Sequence, residues 1–325
     1  MKLTVDDIKL LQVPVPYPVR ATNCYLMHGA DGWDLIDTGA HTKEAEDVWR
    51  KALDQYGIKP GMLRNIYITH YHPDHIGMAG WLLDQVGGAI YMHRVEAQWV
   101  PQVWAPAMPQ AIAVADEFRR HGMSEQWAGA IETQFGEQFL DVSPLPEHIE
   151  LLEDGDLVDY GDAELRVVWT PGHSDGHMCL WQEDIQTVFT GDHILTKITP
   201  NIGLWPGCQP DPLDLFLASL EKIQRLSAEH YLPGHGRSFS RADHRIEELL
   251  AHHQERLDLV EGLASEPKTG FEVCVSLFGT KLSAHQMRFA MAETLSHLER
   301  LRQLGRVSMT DDGTVVRYCT TRLGS

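Results

Sequence analysis

The 325-residue chain has no Cys-x-x-Cys pair. Its five cysteines, Cys24, Cys179, Cys208, Cys274 and Cys319, are odd in number and scattered. That spacing argues against both a thiolate zinc site and a disulfide framework. Basic residues are also scarce, 27 Lys and Arg against 46 Asp and Glu, for a formal charge of -19. Such a balance disfavours nucleic acid or an anionic membrane as partner, unless basic residues cluster locally. No stretch approaches the roughly 20 apolar residues of a membrane span. The N-terminus, Met1 to Asp7, turns acidic early and lacks an apolar signal core. The expected compartment is the reducing cytoplasm, with no membrane partner.

What is present is a hydrophobic fraction of 43%, enough for a sizeable core. The length predicts one large domain, residues 1–240, with an appendage, residues 241–325. Short β-rich runs, among them Thr22–Met27, Trp33–Ile36, Asn65–Thr69, Leu165–Trp169, Met178–Trp181 and Thr187–Phe189, alternate with amphipathic helices. This alternation predicts a layered α/β fold. Residues 94–146 break the pattern. Trp99, Trp104, Trp127, Phe118, Phe135, Phe139, Met108 and Met123 sit there on helix-like stretches. They form a helical insertion, either core between its own helices or an apolar lid over a site.

Beyond residue 240, two long helices are predicted, Arg241–Leu263 and Ser283–Leu304. A β-hairpin around Asp311-Asp312-Gly313 follows. The pattern resembles a winged-helix module, expected to serve packing or assembly of a homodimer. Arg288, Arg300, Arg302 and Arg306, interspersed with Glu293 and Glu299, read as an ordinary solvated helix face.

Residues 70–75 read His-Tyr-His-Pro-Asp-His, four metal-ligand types in six positions. One tetrahedral site has little use for so many adjacent donors, whereas two neighbouring cations could share them. Three later segments repeat one grammar, a β-rich run ending in a glycine turn that carries a ligand: Gly172-His173, Gly191-Asp192 and Gly234-His235. The donors sort by chemistry. His70, His72 and His173 would make one site and Asp74, His75 and His235 the other, with the two oxygens of Asp192 as bridge. His70 and His72 flank one residue on an extended segment and can point the same way. Pro73 is expected to bar a simple helical continuation through the cluster. His28, His41, His121, His244, His252 and His253 are left unassigned.

Thr69 to His75, followed by His173, Asp192 and His235, resembles the metallo-β-lactamase superfamily over about residues 8–240. Asp37-Thr38-Gly39 matches that family's Asp-Thr-Gly element. The resemblance implies an αββα sandwich with metals at one edge, all seven ligand positions filled, and Asp37 supporting the metal site through a ligand histidine. His72, where redox members carry glutamate, and Asp192, absent from true β-lactamases, favour the hydrolases similar to glyoxalase II, quorum-sensing lactonases and lactamase-β-like protein 2. The basic glutathione-binding positions of glyoxalase II are not matched.

The implied cofactor is two divalent cations, zinc first, with iron or manganese accepted by the same donors. The implied reaction is hydrolysis by a metal-bridging hydroxide, with Asp74 and Asp192 as catalytic carboxylates. Asp74 could pass a proton to the leaving group. His193, Lys197 and Tyr231 are candidate substrate contacts. The acidic chain and tryptophan-rich insertion favour a small ester, thioester (an acyl-CoA type included) or lactone. Two alternatives stand beside it. A single-strand nuclease requires Lys197, Arg237, Arg241 and Arg245 to cluster at the metals, and a non-catalytic metal sensor requires a closed ligand set.

Overall fold

The computed structural model of the chain describes residues 4–104 and 109–321. Met108 of the insertion and Met1 to Leu3 of the N-terminus lie outside the described residues. Six strands form the first sheet: β1 (Lys9–Pro14), β2 (Ala21–Gly29), β3 (Gly32–Ile36), β4 (Leu63–Tyr67), β5 (Ala89–His93) and β6 (Glu150–Leu152), paired in that order. β1 to β3 are antiparallel, and β3 to β6 run parallel. The second sheet holds β7 (Leu157–Tyr160), β8 (Ala163–Trp169), β9 (Met178–Gln182), β10 (Thr187–Gly191), β11 (His230–Pro233) and β12 (Phe239–Ser240), again in chain order. Only β10 and β11 pair in parallel there.

The sheets face one another. Tyr25, Met27, Ile36 and Tyr67 of the first meet Tyr160, Leu165, Val167, Leu180, Phe189 and Leu232 of the second in one buried cluster. Strands covered on both faces lose the apolar-polar alternation, and all five residues of β3, β9 and β10 are buried.

Helices close the outer faces. In α1 (Lys43–Tyr56), Thr42 caps the N-terminus by accepting from the Ala45 N–H, and Gly57, at φ +66°, ends the helix. α2 (Pro73–Ile76) is one turn long and α3 is Ala79–Val86. The insertion is helical, as expected: α4 (Arg94–Trp104), α5 (Pro109–Arg120) and α6 (Glu125–Glu137). α7 (Pro212–Gln224) links β10 to β11.

The C-terminal segment comprises α8 (Asp243–Leu263), β13 (Lys268–Thr269), α9 (Gly270–Phe278), α10 (Ala284–Gln303) and the hairpin β14 (Val307–Asp311) and β15 (Val316–Thr320). Its three strands pair in the order β13-β15-β14. α10 carries a capping box, Ser283 with Gln286. It packs against α6, α7, α8 and α9, so most of its surface is covered. Arg288 is buried and Glu293 is only partly exposed. The expected solvated face therefore fails at these two positions, because Phe135 and Gln138 cover Arg288 and Asn201 donates to Glu293 at 3.1 Å.

Candidate metal centre

The predicted ligands converge on one rim. β3 and β4 are parallel neighbours, and Asp37 and His70 follow their C-terminal ends. β8, β10 and β11 run the same way within their sheet, and His173, Asp192 and His235 follow theirs. The rims are stitched where the ligands sit: the Met178 N–H donates to the Thr69 carbonyl (3.0 Å), the Asn23 N–H to Gly234 (2.7 Å), and the Thr38 N–H to His75 (2.8 Å).

Pro73 opens a helix, and the helix does not run back through His70 and His72. A proline at the first helical position loses no hydrogen bond that a helix would otherwise make. The resulting turn, α2, carries Asp74 and His75. The backbone before it stays extended, so His70 and His72 do aim together: His70 Nε2 lies 3.0 Å from His72 Nδ1, which lies 3.0 Å from His173 Nε2. Asp74 Oδ2 is 3.9 Å from His75 Nε2 and 3.1 Å from His235 Nε2. Asp192 stands between the groups, Oδ2 at 3.8 Å from His173 Nε2 and 3.4 Å from His235 Nε2, Oδ1 at 3.5 Å from His75 Nε2. Gly234 allows this approach, because a Cβ there would stand 2.6 Å from Asp192 Oδ1 and 2.7 Å from His75 Cε1.

The far side of four rings is held by a hydrogen bond. Asp37 accepts from His75 Nδ1 at 2.8 Å, and from the Thr69 N–H at 2.8 Å and Thr69 hydroxyl at 2.9 Å. The Thr69 oxygen then accepts from His70 Nδ1 at 3.0 Å. His173 Nδ1 donates to the Asn201 carbonyl (2.9 Å) and His235 Nδ1 to that of Ala21 (2.8 Å). Each bond fixes a proton on Nδ1, so that Nε2 is the atom turned toward the centre and the one that would ligate a cation.

These residues fit divalent cations. Buried His75 Nε2 and Asp192 Oδ1 have no hydrogen-bond partner. Facing ring lone pairs about 3 Å apart repel unless a cation or proton lies between them. The donor set of imidazole and carboxylate suits zinc, iron or manganese.

Charge divides the centre. Burial pushes His70, His72 and His173 below their ordinary range, so this trio is neutral. Burial also disfavours charge on His75, but Asp37, Asp192 and Asp74 outweigh it and raise its pKa to about 10. Asp192 and Asp74 likewise raise His235 against its burial. Asp74 falls to about 2, the neighbouring His75 and His235 overcoming its desolvation.

A cavity of about 270 Å³ opens onto the centre and includes His72, Asp74, His173, Asp192 and His235 in its wall. The insertion contributes Val103, Trp104, Phe135 and Gln138, so it serves both as core and as roof. The C-terminal helix α10 adds His285, Arg288 and Phe289, which no local sequence spacing links to the ligands.

None of the three predicted substrate contacts lines this cavity. His193 is fully buried, edge-on to Phe216 with ring centroids 5.1 Å apart. Tyr231 points into the packing layer and stacks on Phe239. Lys197 is exposed, and its neighbours Leu195, Ile198 and Thr199 face the cavity instead. Two buried supports were not anticipated. Glu96 of α4 accepts from the Tyr71 and Gly176 N–H groups, both at 2.7 Å, tying the two histidine-bearing loops together. His177 lies beneath His70, ring centroids 5.2 Å apart.

Residues 17–235 match the metallo-beta-lactamase superfamily, and residues 257–321 the metallo-beta-lactamase-like C-terminal domain. The probable metallo-hydrolase YqjP of Bacillus subtilis is 25% identical, over 98% of this chain and 100% of its own. A solved metallo-beta-lactamase family protein of Thermus thermophilus is 34% identical with a TM-score of 0.87, covering 98% of this chain and 99% of that one. The atrochrysone carboxyl ACP thioesterase of Aspergillus fumigatus is 23% identical over 75% of this chain and 59% of its own. No helix among the described residues is long and apolar enough to cross a membrane. The chain belongs to the metallo-beta-lactamase superfamily and is a metal-dependent hydrolase, with a metallo-beta-lactamase-like domain at its C-terminal end.

Proposed function

We propose that the centre holds two divalent cations and hydrolyses an acyl ester or thioester whose acyl part occupies the adjoining cavity. The carrying observation is the character of that cavity. Val103, Trp104, Phe135, Leu195, Trp205 and Phe289 wall it, while Asp74 and Asp192 reach it from the centre. Apolar walls with a few convergent polar groups suit a small acyl ligand.

His70, His72 and His173 would hold one cation, Asp74, His75 and His235 the other, and Asp192 would touch both. Bound there, divalent cations supply water activation near neutral pH and polarisation of the substrate carbonyl. The chain does the rest. Asp37, Thr69, Asn201 and Ala21 keep the ring nitrogens oriented. The apolar wall excludes bulk water from the acyl group. Asp74, at the cavity edge, is the carboxylate placed to take the proton given up by the attacking water and pass it to the leaving sulfur or oxygen. The name of the Aspergillus relative, an ACP thioesterase, supports the thioester class.

The nuclease reading loses its basic groove. Arg245 donates to the Leu195 and Ile198 carbonyls and pairs with Glu248, and Arg241 pairs with Glu229. Neither these nor Lys197 and Arg237 line the cavity.

The test is a panel of thioesters, esters, lactones, phosphodiesters and single-stranded RNA, with metal content measured in parallel. About two metals per chain and metal-dependent acyl cleavage are expected, lost in Asp192→Asn with little unfolding. Cleavage confined to phosphodiesters or RNA, or no turnover by the fully loaded protein, overturns the reading.

A further inference from the structure

Arg288 is a cation built into the wall of the acyl cavity, 4% exposed. Its Nη2 donates to Gln138 Oε1 at 2.8 Å. Its guanidinium lies 4.0 Å from the Phe135 ring centroid and 4.9 Å from that of Phe289. Its buried Nε–H has no partner. Among the described residues no carboxylate forms an ion pair with it; Tyr71, Tyr17 and His285 are ionisable groups nearby, and Asp74 lines the same cavity. The residues outside the described ones include no Asp or Glu.

Burying an unpaired charge is strongly unfavourable. One neutral amide and two ring faces offset only part of that. Burial lowers the Arg288 pKa, but only to about 10, so the charge persists at neutral pH. The neighbouring His285 is held neutral, burial and then Arg288 itself bringing it down to about 4. Gln138 and the two rings hold the planar fork in one orientation while its Nε–H stays unused. A cation both rigidly held and incompletely satisfied is suited to bind an anion that enters the same cavity.

We infer that Arg288 recognises an anionic group, a carboxylate at the far end of the acyl chain, making the preferred substrate a half-ester or half-thioester of a dicarboxylic acid. This inference rests on the acyl-hydrolase reading above. Arg288 acts on specificity: one end of the substrate meets the metal-binding residues, and the other meets the guanidinium.

The experiment is calorimetric binding to the metal-loaded protein, independent of turnover. Succinate, glutarate and adipate are compared with butyrate, pentanoate and hexanoate, so that each pair differs only in its second carboxylate. At least one dicarboxylate is expected to bind about 10- to 100-fold tighter than its monocarboxylate, the worth of one charge-assisted contact. Arg288→Met should bring that ratio near one, and Arg288→Lys, which keeps the charge but loses the fork, should leave a reduced ratio. Melting curves and metal content establish whether each variant is folded and loaded. If Arg288→Met does not fold, the wild-type and Arg288→Lys ratios decide. No preference for any dicarboxylate in the wild type, or a full preference surviving in a folded variant, overturns the inference. A preserved binding ratio without ester or thioester turnover would retain the anion site and remove the acyl-hydrolase reading instead.

Discussion

His75 and Asp37 meet in a buried 2.8 Å hydrogen bond between Nδ1 and Oδ2. Asp37 has φ +57°, a left-handed conformation that asparagine also tolerates. Asp37→Asn therefore tests the contact without straining the turn. An amide nitrogen in place of Oδ2 would donate to Nδ1 and move the imidazole proton to Nε2, where the lone pair is needed. The expected result is about a 10- to 100-fold loss of metal affinity with the fold retained. Metal titration followed by circular dichroism checks both parts.

Metal uptake should release protons. Without cations, His75, with its pKa raised to about 10, and His235, also raised, are protonated at neutral pH. Both must give up a proton to ligate. Affinity at the carboxylate-rich site is therefore expected to rise with pH from about 6 to 9, approaching tenfold per unit for each proton displaced. Calorimetry in buffers of different ionisation enthalpy counts the protons.

The same shift bears on the stability of the metal-stripped protein. The folded pKa of His75 exceeds the unfolded value of about 6.5. Below 6.5 both states are protonated, and the contribution of the group is fully present. Between about 6.5 and 10 the folded state binds more protons than the unfolded, so stability falls as pH rises. Urea titrations of stripped protein at about pH 7.5 and 9, where the histidines held low by burial are largely neutral in both states, should show the lower midpoint at pH 9. A higher midpoint at pH 9 would contradict the assignment.

Glu96 is buried, and burial raises its pKa to about 7 although two N–H groups donate to it. Glu96→Gln replaces one acceptor oxygen with an amide that opposes one of those donors. The expected cost is about 1–3 kcal/mol, the penalty of a buried unsatisfied polar group. Metal binding should weaken as well, because the loops bearing His72 and His173 lose their common tie. Melting temperature and metal content of the variant measure the two effects.

Truncation after residue 240 should damage chemistry as well as solubility. It removes His285, Arg288 and Phe289 from the cavity wall. It also removes the Ala292 carbonyl that accepts from Leu204 N–H at 3.0 Å, and Arg300, which pairs with Asp211 and Asp214. Loss of acyl substrate binding in a chain that still takes up metal is the expected outcome. Unaltered kinetics would show that the C-terminal helices serve packing alone.

The convergent cluster of His and Asp donors was legible in the chain because coordination imposes local rules. Ligands must be His or Asp, they cluster after β-rich runs, and close approach demands glycine beside them, as at Gly234. Those constraints act over a few residues, so six positions from His70 to His75 carry most of the information. Helix ends were legible for a similar reason: Ser283 before α10 and Gly57 after α1 satisfy local backbone geometry. The cavity answers to no local rule. Arg288 is separated from Gln138 by 150 residues, and its solvent-facing or buried side depends on whether α6 lies over it. Lys197 and Ile198 are adjacent in the chain, yet only Ile198 lines the cavity. By itself the sequence determined which atoms could bind cations and which sheet edge would carry them, since donor chemistry and strand ends are properties of short segments. Which apolar and charged groups surround a substrate was decided only by tertiary packing, because burial is a property of two surfaces meeting.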